Sequence, residues 1–379
     1  MKRILALILA ALLAFFMVAC SNEGTGNEAP SETDAPNDDK TIAAQAGTFT
    51  YDVNSAGEYE IIGYEPKATT VVDLVLPAAT ADGVEIVGVG KEALKAENTI
   101  KSVTVPASYK YIGDGAFYGC DYLETVALGG SVTSIGINAF TECAKLASLS
   151  NTASIVSIGK YAFKGCTSLL AIDLSGETAV IEEGAFFKCS ALASVKLSAK
   201  IQKITKTAFQ ECTALAYTVE NGGKYLGNAE NAYLVLVAPE NYNITACTVN
   251  AATKIIADAA LANCDYLETL VLGEAVSIIS SACFEGSEQI EYTEYENVRY
   301  LGTVANPHMV AISAIYTVAD TIKLHENVKL ITVSAFDGCD ALDDISFAGT
   351  KEGWAAVVKA DGWNHGRSIA VFCTDGQVQ

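Results

Sequence analysis

The chain has 379 residues, of which 50% are hydrophobic and 18% charged, and its formal net charge at neutral pH is −21. The hydrophobic fraction excludes a wholly disordered chain, and the negative charge disfavours a nucleic-acid partner because an acidic surface repels phosphate. The three histidines leave little room for a metal or proton-transfer site built from imidazoles.

The first twenty residues have the pattern of an export signal. Lys2 and Arg3 precede an uncharged apolar run over residues 4–19, which is shorter than the ~20 residues that a membrane-spanning helix needs. The run ends in Met-Val-Ala-Cys, where the cysteine is Cys20. This ending resembles the lipobox of bacterial lipoproteins, and the resemblance implies cleavage after residue 19 and attachment of lipid to the Cys20 thiol. The alternatives are a plain signal peptide and an N-terminal anchor helix.

Residues 20–46 are predicted to be the lipidated cysteine and a disordered acidic tether. Beyond Cys20 the segment holds six acids and one base, together with Pro, Ser, Thr and Asn, and nearly lacks large apolar side chains. Such a composition cannot drive folding. The tether is expected to lift the folded part of the chain off the membrane.

A 23-residue internal repeat governs the rest of the chain. Each repeat unit, which we call a coil, has one position for a large apolar residue, and we use this residue as the marker of the coil. An aliphatic residue stands five places before the marker in all nine coils, and Ala stands one place before it in eight. Cys stands three places after the marker in seven coils. The marker is Leu94 or Leu261 in two coils and is otherwise aromatic: Phe117, Phe140, Phe163, Phe186, Phe209, Phe284 and Phe336. The cysteines of the repeat are Cys120, Cys143, Cys166, Cys189, Cys212, Cys264 and Cys339.

Two of the intervals between markers are 52 residues long and resemble each other. Tyr225-Leu226-Gly227 in the first matches Tyr300-Leu301-Gly302 in the second at an offset of 75 residues, and Asn231 matches Asn306. A random insertion would not recur in register. We therefore predict that each 29-residue insert is structured and adds a pair of strands.

A unit of 23 residues cannot bury its own apolar face, whereas stacked units share a continuous core. Leu123, Val126 and Leu128 predict a short strand in each coil, Val132 and Ile135 predict a second one, and residues 113–120 predict a tight helical turn. The expected fold is a solenoid of coils with short parallel strands and tight helical turns. Residues 89–348 form the solenoid, residues 47–88 the N-terminal cap and first coil, and residues 349–379 a C-terminal cap with a short helix over 350–359.

The repeat I-G-x-x-A-F-x-x-C-x-x-L-x-x-I-x-L, present over residues 112–128, resembles the BspA-like (Treponema-type) leucine-rich repeats of bacterial surface proteins. The resemblance covers roughly residues 47–375. It implies a leucine-rich repeat solenoid on a cell-surface lipoprotein that acts in adhesion through protein–protein or protein–glycan contact. Departures include Cys283 in place of Ala, and Ser287 and Glu97 in place of Cys.

The repeated cysteines occupy one slot, so we expect them to stack in the core as a reduced ladder. Disulfides between neighbouring coils are the main alternative in an exported protein. A zinc site is disfavoured because the chain lacks CxxC pairs and nearby histidines. His308, His325 and His365 lie in unrelated positions of the repeat, so no catalytic triad is predicted, and we expect no catalytic residue, metal or cofactor.

The remaining candidate site is a ribbon of outward strand positions, mostly small and little charged, that line up along the stack. The candidate binding ribbon comprises Thr125, Ala127, Ser148, Ser150, Ala171, Asp173, Ser194, Lys196, Thr269 and Val271. We expect a non-enzymatic monomer, held on a membrane by its lipid and exposed at the cell surface, that binds an extracellular protein or glycan. A spacer without a ligand and a carbohydrate-active enzyme on a parallel β-helix are the alternatives.

Overall fold

The structure is a computed structural model that describes residues 41–44, 46–67, 69–280 and 282–378. Signal peptide, Cys20 and nearly all of the tether lie outside these residues. The described chain is a β-solenoid of about 14 stacked turns of roughly 23 residues with almost no helix. The predicted leucine-rich repeat solenoid is thereby confirmed.

Each coil contributes to two rows of strands. The short-strand row carries the aliphatic residue that lies five places before the marker, and its coils pair in parallel, as Ser157–Ile158 does with Ser134–Ile135. Its first sheet contains, in order, Thr41–Ala43, Gly47–Val53, Tyr59–Pro66, Ile86–Val89, Tyr111–Ile112, Ser134–Ile135, Ser157–Ile158, Val180–Ile181 and Lys203–Ile204. A second sheet contains Thr218–Glu220, Gly223–Leu226, Val235–Pro239, Ile255–Ile256 and Ile278–Ile279, and a third contains Thr293–Tyr295, Val298–Leu301, Val310–Ala314, Leu330–Ile331 and Val358–Lys359.

The ribbon row carries the longer strands that follow the repeated cysteine. Inward and outward side chains alternate along it, as the burial of Ile172 and Leu174 between exposed neighbours shows. Its four sheets are Val72–Val75, Ile100–Thr104, Thr125–Ala127 and Ser148–Ser150; Ala171–Leu174 and Ser194–Leu197; Ala246–Thr248 and Thr269–Val271; and Thr321–Leu324, Asp344–Phe347, Ala370–Cys373 and Gly376–Val378.

The segments predicted as helical turns are instead chains of β-turns. In the coil of Phe117, the N–H groups of Ala116 and Cys120 donate three residues back, at 3.2 and 3.3 Å, whereas the N–H of Phe117 donates to Ala139 O of the next coil at 2.8 Å. Alternate amides are thus committed to the neighbouring coil, so a continuous helix cannot form. Within the described residues, short 3₁₀ helices occur at Thr152–Ser154 and Lys206–Phe209.

One turn position has left-handed backbone in all nine coils. The residue two places after the marker has φ between 56° and 75°, a region that costs most non-glycine residues about 1–2 kcal/mol. Glycine fills it in four coils, and other residues tolerate it in five. The nine residues are Ala96, Gly119, Glu142, Gly165, Lys188, Glu211, Asn263, Gly286 and Gly338.

Both ends of the solenoid are closed by antiparallel strands. At the N-terminal end, Thr41–Ala43 pairs with Gly47–Val53, which pairs with Tyr59–Pro66. The strand Thr41–Ala43 lies within the segment that the sequence analysis assigns to the tether. The rings of Phe49 and Tyr64 pack 4.8 Å apart in this cap.

The C-terminal cap contains the one α-helix of the described chain, Lys351–Ala356. Thr350 Oγ1 accepts a hydrogen bond from the N–H of Gly353 at 3.1 Å, which satisfies a free amide of the first turn. Trp354 is buried, with its ring 5.5 Å from that of Phe347. The helix ends three residues earlier than predicted because Val358–Lys359 pairs with Leu330–Ile331 as a strand.

Each insert adds three antiparallel strands rather than the predicted pair. In the first insert these are Thr218–Glu220, Gly223–Leu226 and Val235–Pro239, and the third strand continues in parallel with the next coil. The repeated Tyr-Leu-Gly…Asn motif closes the loop between the second and third strands. A Cβ on Gly227 would lie 1.9 Å from Asn231 O, and Asn231 Nδ2 donates to Ala252 O at 2.8 Å.

The markers from Phe117 to Phe209 form a continuous stack in the core. Successive ring centroids are 5.2 or 5.3 Å apart and the rings are within 9° of parallel. All five are at most 4% exposed, and Phe336 is fully buried, whereas Phe284 is only half-buried. The stacked rings set the spacing between coils, and with it the spacing of the outward strand positions.

Five of the seven repeated cysteines, from Cys120 to Cys212, donate a hydrogen bond to the carbonyl group of the marker in the preceding coil. The thiol of Cys166 donates to Phe140 O of the preceding coil at 3.1 Å, and that of Cys189 donates to Phe163 O at 3.0 Å. Ser287 makes the same contact, with Leu261 O at 2.7 Å, so a hydroxyl takes the place of the thiol in that coil. None of the ten cysteines after Cys20, all within the described residues, forms a disulfide. Burial raises the pKa of Cys166, which suppresses its thiolate.

We predict that the ladder needs a small hydrogen-bond donor rather than sulfur itself. Cys166→Ala leaves Phe140 O without its thiol partner and opens a small void, so the free energy of unfolding is expected to fall by about 2 kcal/mol. Cys166→Ser keeps a donor and is expected to cost less than about 1 kcal/mol. Urea denaturation measures both variants. Equal losses for alanine and serine would contradict this role of the donor.

Candidate binding surfaces

The ten ribbon residues all lie on outward positions of the ribbon row. Eight of them are exposed, and Ala127 and Val271 are half-buried. The strand register places Ser148 beside Thr125 and Ser150 beside Ala127. The structure therefore brings these four side chains into two short columns on one flat surface.

The ribbon is not continuous along the stack. Within the described chain, strand pairing is interrupted between Ser148–Ser150 and Ala171–Leu174, next to the 3₁₀ helix Thr152–Ser154. It is interrupted again after Ser194–Leu197, where Leu197 N donates to Gly227 O of the first insert at 3.0 Å. Thr269 and Val271 therefore lie on a separate sheet beyond the insert. The sequence repeat did not reveal these two interruptions.

The charged part of the ribbon is locally neutral. Asp173 Oδ2 and Lys196 Nζ lie 3.0 Å apart on neighbouring strands. A hydrogen bond from the Ser175 hydroxyl is the main cause that lowers the pKa of Asp173, with Lys196 contributing. Both side chains are more than half exposed, so the pair stabilises the fold by at most about 1 kcal/mol. A partner of either charge therefore meets little net field at this point.

Charge is distributed unevenly along the solenoid. Before the first insert, several Lys–Glu or Lys–Asp pairs join residues exactly one coil apart, such as Lys160 with Glu183 at 3.2 Å. Residues 255–298, by contrast, contain nine acids and no Lys or Arg. The surface around the second insert is therefore the more acidic one, and it attracts cationic groups.

A cleft of about 660 Å³ opens in this acidic region, between the coils of Phe284 and Phe336. Its apolar lining includes the half-buried rings of Phe284 and Tyr292, together with Ile312. Glu285 and Asp337 also line it. The volume lies within the range of ligand-binding clefts, about 300–1,000 Å³. The cleft was not predicted from the sequence, although Cys283, Ser287 and the 75-residue offset mark its neighbourhood.

The unit of 23 plus 52 residues occurs twice in the chain at an offset of 75 residues, and the two copies differ in this region. At the equivalent place of the first copy lies a smaller cleft of about 300 Å³, whose lining includes Thr205 and Asp258. In the first copy Asp258 N donates to Ile204 O at 3.0 Å, and Thr205 and Asp258 form a parallel bridge. The equivalent residues in the second copy are Ile279, Ser280 and Val333, at an offset of 75. Among the residues described there, the bond from Val333 N to Ile279 O is not formed.

Two of the three histidines meet beside the second insert, which the sequence did not predict. The rings of His308 and His325 stack 4.1 Å apart and 9° from parallel, with Tyr295 against His325 and Tyr300 against His308. The N–H of Asn327 donates to Nδ1 of His325 at 3.0 Å, so this nitrogen accepts a hydrogen bond and carries no proton.

This histidine pair predicts a loss of stability on acidification. Burial, and secondarily the charge of His325, lowers the pKa of His308. The unfolded chain therefore binds more protons than the folded one, and stability falls as the pH drops through about 6.5. The urea midpoint is expected to be lower at about pH 5.5 than at about pH 7.5. His308→Tyr, which installs the first copy's Tyr233, is expected to reduce this difference; an unchanged difference would contradict the prediction.

Within the described residues, no group of three or more His, Cys, Asp or Glu side chains is placed to hold a metal ion. Over the same part of the chain, none of the helices has the length and apolar character that crossing a membrane requires.

The stacked coils, with their inward marker and cysteine, define a leucine-rich repeat solenoid. The chain belongs to the family described as BspA type leucine rich repeat region, whose model matches residues 88–216 and 238–352 in six copies. The predicted resemblance is confirmed.

Several solved structures are similar to the chain. A leucine rich cell surface protein of Faecalibacterium prausnitzii is 19% identical, with 86% of this chain and 99% of that one covered and a TM-score of 0.41. The leucine-rich repeat protein of T. pallidum is 23% identical, with 66% and 91% covered, and one from Bacteroides ovatus is 18% identical, with 88% and 100% covered; both have TM-scores of 0.41. A search of curated proteins gave no significant match.

Proposed function

We propose that the protein is an extracytoplasmic binding protein, held on a bacterial membrane by lipid on Cys20, that contacts another protein or a glycan through the ribbon. Membership of the BspA type family is consistent with a binding or adhesion role. The observation that carries the proposal is the register of the ribbon, in which Thr125 stands beside Ser148 and Ala127 beside Ser150 on a rigid stack.

Small side chains in register suit an extended partner. They leave a flat surface with hydroxyl groups that donate and accept hydrogen bonds, and they lose little side-chain entropy when a partner orders them. A rigid stack holds these positions in place before the partner arrives. Many copies on one cell surface would add weak contacts by multivalency.

A glycan and matrix-protein array tests the ribbon. The chain from Cys20 onward is expected to bind at least one member saturably, and Ser148→Arg/Ser150→Arg is expected to abolish that binding because two long cations block the surface. Thr133→Arg/Val156→Arg is the matched control, since both residues are exposed and lie beside the short-strand row of the same region. No binding to any member of the array would favour a spacer without a ligand. Turnover of a substrate without tight binding would favour an enzyme.

The membrane anchor is tested separately. Wild-type protein is expected in the membrane fraction with radiolabelled fatty acid attached, because several acyl chains bind a bilayer stably. Cys20→Ala is expected to lose the label and to leave that fraction. Protease treatment of intact cells then shows whether the solenoid faces outward. An unlabelled wild-type chain would overturn the anchor and leave the ribbon proposal standing.

A further inference from the structure

We propose that the cleft beside the second insert is a second binding site, which takes an extended peptide segment of a partner protein carrying a basic side chain next to an apolar one. The site goes beyond the proposed function because it shares no residue with the ribbon. Three features of the cleft favour this partner: its apolar floor, its open strand edge and its charge.

The floor supplies an apolar surface that the rest of the stack hides. Phe284 is half-buried, whereas the Phe markers from Phe117 to Phe209 and Phe336 are at most 4% exposed. Tyr292 and Ile312 lie on the same lining. Covering apolar surface of this kind favours association, against the entropy that the partner loses on binding. An aliphatic side chain of a partner is of the right size and character for this floor.

The open strand edge supplies backbone partners. In the first copy Asp258 N donates to Ile204 O across the gap, and the cleft that remains there is smaller, about 300 Å³. In the second copy Ile279 and Val333 line the cleft, and among the described residues their corresponding N–H and C=O are not joined. An extended peptide presents alternating N–H and C=O groups, which is how peptides add to an exposed strand edge. This feature favours a peptide over a glycan.

Charge selects the basic side chain. Glu285 and Asp337 belong to the two coils that bound the cleft, and residues 255–298 carry nine acids without Lys or Arg. Asp337 Oδ1 lies 3.1 Å from His365 Nε2, while Glu285 is exposed and has no ion pair among the described residues. A Lys or Arg side chain complements Glu285, and an acidic or phosphorylated segment is repelled.

The test uses fluorescein-labelled pentapeptides Thr-Val-X-Val-Thr, with each of the twenty residues at X, and fluorescence anisotropy on the chain from Cys20 onward. Peptides with Lys or Arg at X are expected to bind about tenfold more tightly than the peptide with Glu at X. Added salt is expected to weaken the Lys and Arg peptides selectively. Equal affinities for Lys and Glu, or no binding of any peptide, would overturn the proposal.

Matched variants locate the site. Glu285→Gln is expected to weaken the Lys peptide about three- to tenfold, whereas Glu288→Gln, also exposed but outside the cleft lining, leaves it unchanged. Ser313→Trp fills the cleft and is expected to abolish binding. Ala238→Trp, at the equivalent half-buried position of the first copy, leaves binding intact.

The two proposals fail independently. Ser148→Arg/Ser150→Arg is expected to keep full affinity for the Lys peptide, because the ribbon and the cleft share no residue. Unchanged peptide affinity in both Glu285→Gln and Ser313→Trp would place the peptide elsewhere and overturn the cleft site. A glycan that binds to wild type but not to Ser313→Trp would show the cleft to be a glycan site and overturn the peptide assignment.

Discussion

Replacement of Phe163 by alanine is expected to lower the free energy of unfolding by about 3–5 kcal/mol. Phe163 is fully buried, and its ring lies 5.3 Å from that of Phe140 and 5.2 Å from that of Phe186, nearly parallel to both. The substitution removes the transfer energy of the ring, opens a cavity and breaks two stacking contacts, each worth about 0.5–1.5 kcal/mol. Because coils contact chiefly their neighbours, the damage falls in the middle of the continuous stack.

Urea denaturation followed by far-ultraviolet circular dichroism measures this loss. Phe284→Ala is the control, since Phe284 occupies the same slot but is only half-buried at the edge of the cleft. Its expected cost is about 1–2 kcal/mol, because less apolar surface is lost from the core. A Phe163→Ala variant as stable as Phe284→Ala would mean that the aromatic stack does not hold the coils together.

Most of the fold could be predicted from the 23-residue period of the sequence. An aliphatic residue, Ala, Phe and Cys at constant offsets fixed which positions face inward, because a stack of identical coils must repeat its buried side chains. The type of turn that surrounds each marker could not be predicted from the period. Closely spaced apolar residues suit a helical turn and a chain of β-turns equally, and the choice depends on amides such as Phe117 N, which bonds to the next coil.

The residues that depart from the repeat pattern are explained by their contacts in the structure and not by the sequence alone. Ser287 counts as a break in the cysteine pattern, yet its hydroxyl donates to Leu261 O, as five of the thiols do to the marker carbonyl of the preceding coil. This position requires a small side chain that donates a hydrogen bond to a buried carbonyl group. Cys283, by contrast, lies next to Phe284 where the cleft opens, so a departure has to be judged by the neighbouring coil that it contacts.

The cleft itself could not have been predicted from the repeat. Both copies share the insert and its register, so equal patterns predict equal structures. The difference lies in whether one backbone bond, from Asp258 to Ile204 in the first copy, also forms in the second. Such a bond depends on how two coils approach each other across the insert, and a sequence pattern does not encode that distance.

Gly302→Ala is expected to destabilise the protein by about 2–3 kcal/mol. A Cβ on Gly302 would lie 2.0 Å from Asn306 O, and this atom belongs to the backbone, so no side-chain rotation relieves the contact. The oxygen also accepts a hydrogen bond from Thr303 N at 3.1 Å, which resists its displacement. The loop between the second and third insert strands must therefore open to admit a methyl group.

Gly130→Ala is the control for this substitution, because a Cβ there would meet nothing within 4 Å and the expected change is within about 0.5 kcal/mol. Gly227→Ala makes the same clash in the first copy, at 1.9 Å from Asn231 O. The two losses are expected to add within about 0.5 kcal/mol, because the loops belong to different inserts and share no residue. A double variant that loses no more than either single variant would mean that the copies unfold separately, and a stable Gly302→Ala would show that the repeated glycine does not fix the loop.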